Sequence, residues 1–116
     1  MLQPKLASFF CGMRFQTPVV LLSGCVGFGQ EYTRVEGFSH KDVGAVCLKG
    51  TTLDARPGNP THRVYETPSG MLNAIGLQNP GTQQVVNDIL PALDFTETRY
   101  IANVSGSTIE EYTEVT

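Results

Sequence analysis

Apolar residues along this chain come in unbroken blocks rather than in strict alternation. Val19-Val20-Leu21-Leu22 runs without a polar residue and stops at Ser23-Gly24, and Ala45-Val46-Cys47-Leu48 does the same and stops at Lys49-Gly50. Continuous hydrophobicity of this length predicts parallel strands covered on both faces. Tyr100-Ile101-Ala102, followed by Asn103-Val104, predicts a third. Ahead of them, apolar runs over residues 4–10 and 13–15 flank Cys11-Gly12, which predicts a small β-hairpin.

Between these strands the pattern turns helical. Residues 31–38 predict a short helix. Residues 83–93 carry Val85, Val86, Ile89, Leu90 and Leu93 near helical spacing, with Pro91 set to kink or shorten the helix. Ser107 predicts an N-cap, with Glu110 completing a capping box, and the helix it starts runs to Thr116 without a stop signal. Alternating strands and helices imply an α/β fold with a parallel sheet and right-handed crossovers. A (β/α)8 TIM barrel takes about 250 residues. The expectation for 116 residues is therefore the N-terminal part of such a barrel: one incomplete domain over residues 1–116, with a leading hairpin and the first three to four βα units, truncated before closure.

Composition narrows the class. With 41% hydrophobic and 16% charged residues the chain can fill a core, so disorder is not the default reading. A net charge of -3, with its eight Lys and Arg scattered, argues against a nucleic-acid surface. Cys11, Cys25 and Cys47 form no Cys-x-x-Cys pair, so neither a disulfide framework nor a zinc site is expected, and the thiols read as reduced and buried. No stretch reaches the length of a membrane span and no export signal precedes the fold, which points to a cytoplasmic protein. Asn103-Val104-Ser105 matches a glycosylation sequon, read here as coincidence. The segment between Leu53 and Thr82, rich in Pro, Gly and Asn, far exceeds the usual connection of about 4–6 residues, and excursions of that size are usually functional.

Barrel enzymes keep their ligands at the C-terminal ends of the strands. Ser23-Gly24, Lys49-Gly50 and Asn103 all fall there, either as site residues or as loop residues that mark where strands stop. A lone lysine directly after a buried strand must reach solvent or meet an anion. The glycines of Gly24-Cys25-Val26-Gly27-Phe28-Gly29 do not match the dinucleotide fingerprint, so the segment reads as a flexible loop. His40 and His62 have no acidic or cysteine neighbours at metal-ligand spacing; surface or loop positions are expected for both, and no metal. The stretch from Met71 to Gly81 mixes apolar residues with Asn73, Asn79, Gly76 and Gly81. It is either a ligand-facing loop or a turn held by its own asparagines.

That stretch, Met71-Leu72-Asn73-Ala74-Ile75-Gly76-Leu77-Gln78-Asn79-Pro80-Gly81, resembles the substrate-loop signature of the dihydroorotate dehydrogenase family. Around it, Ser23 to Gly29 with Glu31-Tyr32, Lys49 to Leu53, Arg56 to Pro60 and Asn103 to Ser107 follow in the family's order, so the resemblance spans nearly the whole chain. Its loop form is similar to that of the NAD-linked class. The resemblance implies an FMN-dependent enzyme that oxidises dihydroorotate to orotate in de novo pyrimidine synthesis. It makes Ser23, Gly24, Lys49, Gly50 and Asn103 flavin contacts, and Lys49 with Asn73, Ala74, Ile75, Gly76 and Leu77 the dihydroorotate site. It also implies a homodimer paired with an iron–sulfur and FAD subunit that hands electrons to NAD. The family's catalytic base is a cysteine in a segment that does not occur among these residues, and Cys11, Cys25 and Cys47 do not replace it. The 116 residues alone are therefore expected neither to hold FMN tightly nor to turn over. Two alternatives remain: a related flavin-dependent uracil or thymine oxidoreductase, and a non-catalytic half-barrel module.

Overall fold

Cys11 and Gly12 both have positive φ, 48° and 74°, the combination a two-residue hairpin turn needs to follow the twist of its strands. They join β1 (Ser8–Phe10) to β2 (Met13–Phe15), antiparallel with Phe10 opposite Met13. The structure, a computed structural model, describes residues 6–116. Pro4 and Lys5, at the start of the expected hairpin run, lie outside the described residues.

The described residues group into two compact units. One comprises the chain up to Lys49 together with Ala92–Asn103, the other Gly50–Pro91 with Val104–Thr116. In the first, β3 (Val20–Leu21), β4 (Ala45–Cys47) and β7 (Arg99–Ile101) form a parallel sheet with β4 in the centre. Register sets Leu21 beside Val46 and Cys47 beside Ile101. The central position explains the burial of Ala45 and Val46. Gly44 donates to the Val19 carbonyl at 2.9 Å, and a side chain there would overlap the Thr17 carbonyl, so the backbone of the preceding segment can pass directly over β4. Thr98 ties the start of β7 to Val43 through a buried hydroxyl at 3.1 Å.

On the side of the sheet bearing Val46 and Tyr100, aromatic rings meet edge to face: Tyr32 with Phe38, Phe38 with His40, His40 with Tyr100, and Tyr100 with Phe95, at 5.2–6.0 Å between centroids. That geometry suits the ring quadrupoles. Gly29 (φ +87°) leaves room for this packing, since a methyl group there would lie 3.2 Å from Val46 Cγ1.

The expected first strand is shorter and less covered than its apolar run suggests. Only Val20–Leu21 pair, and Val19 and Leu22 are 50% and 62% exposed. β3 is an edge strand among the described residues, so one flank and part of its surface meet no partner. The helix expected over 31–38 is also reduced, to one 3₁₀ turn at Tyr32–Arg34. It stops because Val35 is extended and Gly37 takes φ +81°. Instead, the Gly-rich segment read as flexible opens with a helical turn, α1 (Ser23–Val26), whose Val26 is buried.

In the second unit the long excursion contains a hairpin that its Gly and Pro content concealed: β5 (Val64–Thr67) and β6 (Gly70–Asn73), with Tyr65 opposite Leu72. The following helix starts as α2 (Thr82–Gln84), widens to a π turn over Val85–Ile89 and ends as a 3₁₀ turn at Leu90–Ala92. Pro91 thus sits in the final turn, in keeping with its expected shortening effect. The last helix is α3 (Ile109–Val115), capped by Thr108, whose hydroxyl accepts from Glu111 N at 3.2 Å. The cap expected at Ser107 is displaced by one residue. Ser107 Oγ accepts from Arg56 Nη2, and the Ser107 backbone N–H donates to the Glu111 carboxylate.

Candidate functional site

Parallel pairing puts the C-terminal ends of β3, β4 and β7 on one edge of the first unit's sheet. Ser23 follows Leu21 by two residues, Lys49 follows Cys47 by two and Asn103 follows Ile101 by two, so the three expected rim residues share one offset past their strands. The Leu48 N–H donates to the Ile101 carbonyl at 2.9 Å and carries the β4–β7 ladder on toward Lys49 and Asn103. Ser23 and Lys49 are half-buried, and Asn103 is exposed. Gly24 follows Ser23 in the helical turn, and a methyl group there would meet nothing within 4 Å. Its backbone therefore faces open space. Gly50 is buried and opens the second unit.

The expected substrate loop lies in the second unit. Asn73 closes β6 with its side chain exposed, and Ala74 is exposed after it. Beyond them the backbone is held from several sides. Asn59 donates its side-chain amide to the Ala74 carbonyl and its backbone N–H to the Ile75 carbonyl, both at 2.9 Å. Gly76 (φ +77°) and Leu77 (φ +54°) follow with positive φ, a conformation that costs a residue with a Cβ about 1–2 kcal/mol. Asn79, only 6% exposed, donates to the Leu77 carbonyl at 2.9 Å and to Thr52 Oγ1 at 3.0 Å; its oxygen accepts from Thr52 N at 3.1 Å and Gly81 N at 3.0 Å. The two asparagines therefore divide the two readings of the segment. Asn79 holds the turn, and Asn73 stays open to solvent.

His40 reverses an expectation. It is 3% exposed, because the 3₁₀ turn His40–Asp42, capped by Ser39, sets its ring among Phe38, Tyr100 and Gly29. The Tyr100 hydroxyl meets its Nδ1 at 3.0 Å, and Nε2 has no partner among the described residues. A cleft of about 360 Å³ beside it is lined by Arg34, His40, Asp94, Glu97 and Tyr100. Burial, reinforced by the negative charges of Glu97 and Asp94, pushes the Tyr100 hydroxyl above its ordinary value. Asp94 is held below the usual carboxylate range by the Thr96 hydroxyl and then by the Thr96 N–H. Asp94 and Glu97 come from the segment before β7, and Gly29 from the loop that follows α1. The flanking polar residues Ser39 and Lys41 concealed the burial of His40 in the sequence. His62 is exposed, as expected.

The cysteines also depart from expectation: Cys11 and Cys25 are exposed and Cys47 half-buried, all three free. Cys11 sits at a turn and Cys25 on the open side of a single helical turn, where no core forms around them. Among the described residues no three His, Cys, Asp or Glu cluster as metal ligands, and no helix is long and apolar enough to cross a membrane.

The model of one protein family, described as dihydroorotate dehydrogenase, matches residues 5–116. This chain belongs to the dihydroorotate dehydrogenase family. The catalytic subunit of dihydroorotate dehydrogenase B (NAD(+)) from Anoxybacillus flavithermus is 53% identical over 111 residues, covering 96% of this chain and 35% of that protein. The corresponding subunit from Bacillus caldolyticus is 50% identical over the same length and shares. The chain thus spans about a third of the length of the curated relatives it matches. Among solved structures, dihydroorotate dehydrogenase from Eimeria tenella in complex with ferulenol superposes with a TM-score of 0.66 at 18% identity, covering 97% of this chain and 33% of that one. That likeness is one of fold, and it makes the three parallel strands the start of the family's α/β barrel.

Proposed function

We propose that this chain forms part of a catalytic subunit that oxidises dihydroorotate to orotate with FMN, the electrons passing to NAD through a partner subunit carrying FAD and an iron–sulfur cluster. The supporting observation is the common offset of Ser23, Lys49 and Asn103 past three parallel strands in a member of this family. FMN, if bound, would supply the hydride acceptor for the substrate ring. The protein residues position and bind. Ser23, Asn103 and the open backbone at Gly24, with the buried Gly50 following Lys49, present hydroxyl, amide and peptide groups to the polar edge of a flat ring. Lys49 supplies a positive charge suited to the substrate carboxylate and to the anionic reduced flavin. Asn73 offers an exposed amide that can both donate and accept, and Ala74 to Leu77 offer a backbone already fixed in shape. No residue of this chain is assigned the base that takes the proton lost with the hydride. The homodimer and the cytoplasmic location belong to the same reading.

Substrate choice tests it. Dihydroorotate carries a carboxylate and dihydrouracil does not. A Lys49→Ala holoenzyme should lose most of its preference for dihydroorotate, by on the order of tenfold or more in kcat/KM ratio. An unchanged preference contradicts the assignment and favours a flavin enzyme acting on uracil or thymine.

A further inference from the structure

We propose that Asn79 is the positioning residue of the substrate loop: its amide fixes the Gly76-Leu77 backbone in the shape that recognises the orotate ring. This rests on the function proposed above and goes beyond it, because Asn79 is buried and reaches the ligand only through Leu77. Every polar position of its side chain is used. Oδ1 accepts from the N–H groups of Thr52 and Gly81, and Nδ2 donates to Leu77 O and Thr52 Oγ1. Its own N–H and carbonyl pair with Arg56 in an isolated antiparallel bridge, N to O 3.0 Å and O to N 2.9 Å. The side chain is therefore clamped before any ligand arrives. The N–H groups of Thr52 and Gly81 require an acceptor and the Leu77 carbonyl a donor, which fixes which end of the amide faces Leu77; Thr52 Oγ1 lies within reach of both ends and donates to the Asp54 carbonyl at 2.6 Å.

The Leu77 conformation makes the amide necessary. Leucine at φ +54° is disfavoured by the contact of its Cβ with the backbone, and the Asn79 donor on its carbonyl offsets that cost. Without the donor the Leu77–Gln78 peptide plane is free to turn, and Leu77 can leave the positive-φ conformation that sets the direction of its own N–H. A carboxylate in place of the amide keeps both acceptor bonds but sets an oxygen against the Leu77 carbonyl. Protonation restores a donor.

The test uses the FMN-loaded holoenzyme that carries this segment, with orotate as the probe and flavin absorbance as the signal. Asn79→Asp and Asn79→Ala should each weaken orotate binding on the order of tenfold near pH 8, with FMN content unchanged. Val85→Ala, a buried truncation in the same unit, serves as a stability-matched control and should leave affinity within about twofold. Relative to the unsubstituted protein, Asn79→Asp should regain affinity as the pH falls to about 5, because a buried carboxyl protonates readily; Asn79→Ala should not. Affinities equal to those of the control, or no recovery specific to Asp, overturn the inference and leave the proposed function standing. An unsubstituted holoenzyme that fails to bind orotate overturns both.

Discussion

Replacing Gly81 by alanine tests whether the second unit is organised around the junction of the 73–81 loop with α2. Gly81 has φ 84° and ψ 161°, a region open in practice to glycine alone, where other residues bear about 1–3 kcal/mol of strain. A methyl group there would lie 2.7 Å from the backbone nitrogen of Ala55 and 3.0 Å from Asp54 C, atoms that cannot turn aside as a side-chain tip would. Relieving such overlap typically costs a further 1–3 kcal/mol or so. Any shift also stretches the bond from Gly81 N to Asn79 Oδ1. The expected loss is therefore about 3 kcal/mol, which urea unfolding should read as a midpoint lowered by roughly 1–3 M. Gly24→Ala is the matched comparison. Gly24 lies in a helical turn with ordinary φ and open space around it, so alanine should be neutral or stabilising by up to about 1 kcal/mol. Equal midpoints for the two variants would refute the reasoning, because the strain and the overlap at Gly81 would then be absent.

Two further predictions concern the Tyr100 cleft. Tyr100→Phe leaves His40 Nδ1 without its partner and should cost about 1–3 kcal/mol at neutral pH. Because the folded-state value of Tyr100 is raised, its contribution is complete below about pH 10 and fades as the pH climbs toward that raised value. The alkaline decline in unfolding free energy should accordingly be shallower in Tyr100→Phe than in the parent, and equal slopes would count against the assignment. Asp94 behaves in the opposite sense. Its value is depressed, so its stabilisation is present above about pH 4 and disappears as the pH falls through the lower folded-state value. Asp94→Asn should flatten the acid side of a stability–pH curve, and a curve parallel to the parent's would show that the Thr96 bonds to Asp94 contribute nothing.

The strand order and the rim were legible from the sequence because they depend on local pattern. An apolar run ending in a small or charged residue marks both a buried strand and its C-terminal tip, and for β4 and β7 the pattern and the pairing agree. Val19 and Leu22 show the limit of that reading. Hydrophobicity reports what a residue can bury, and exposure depends on neighbours from elsewhere in the chain. The helix over 31–38 failed because Gly37 at positive φ outweighs the apolar spacing. The α3 cap moved from Ser107 to Thr108 because Arg56, 51 positions away, engages the Ser107 hydroxyl. In the candidate site the residue types were readable and their division of labour was not. Asn73 and Asn79 look alike in sequence, and only the buried partners Thr52 and Gly81 separate a holding amide from an exposed one. His40 was hidden for the same reason, since its burial depends on Tyr100.

The edge-to-face file of rings on the sheet has an optical consequence. The chain contains no tryptophan and only four tyrosines, and two of them, Tyr32 and Tyr100, belong to that file. Its near-ultraviolet circular dichroism should therefore arise largely from rings locked in an asymmetric setting in one unit. A bound flavin would add its own bands in the visible, where these phenols are silent. The visible bands thus report the arrival of a coloured ligand alone, and the near-ultraviolet bands of the ligand-free protein report the integrity of the sheet, with no added label.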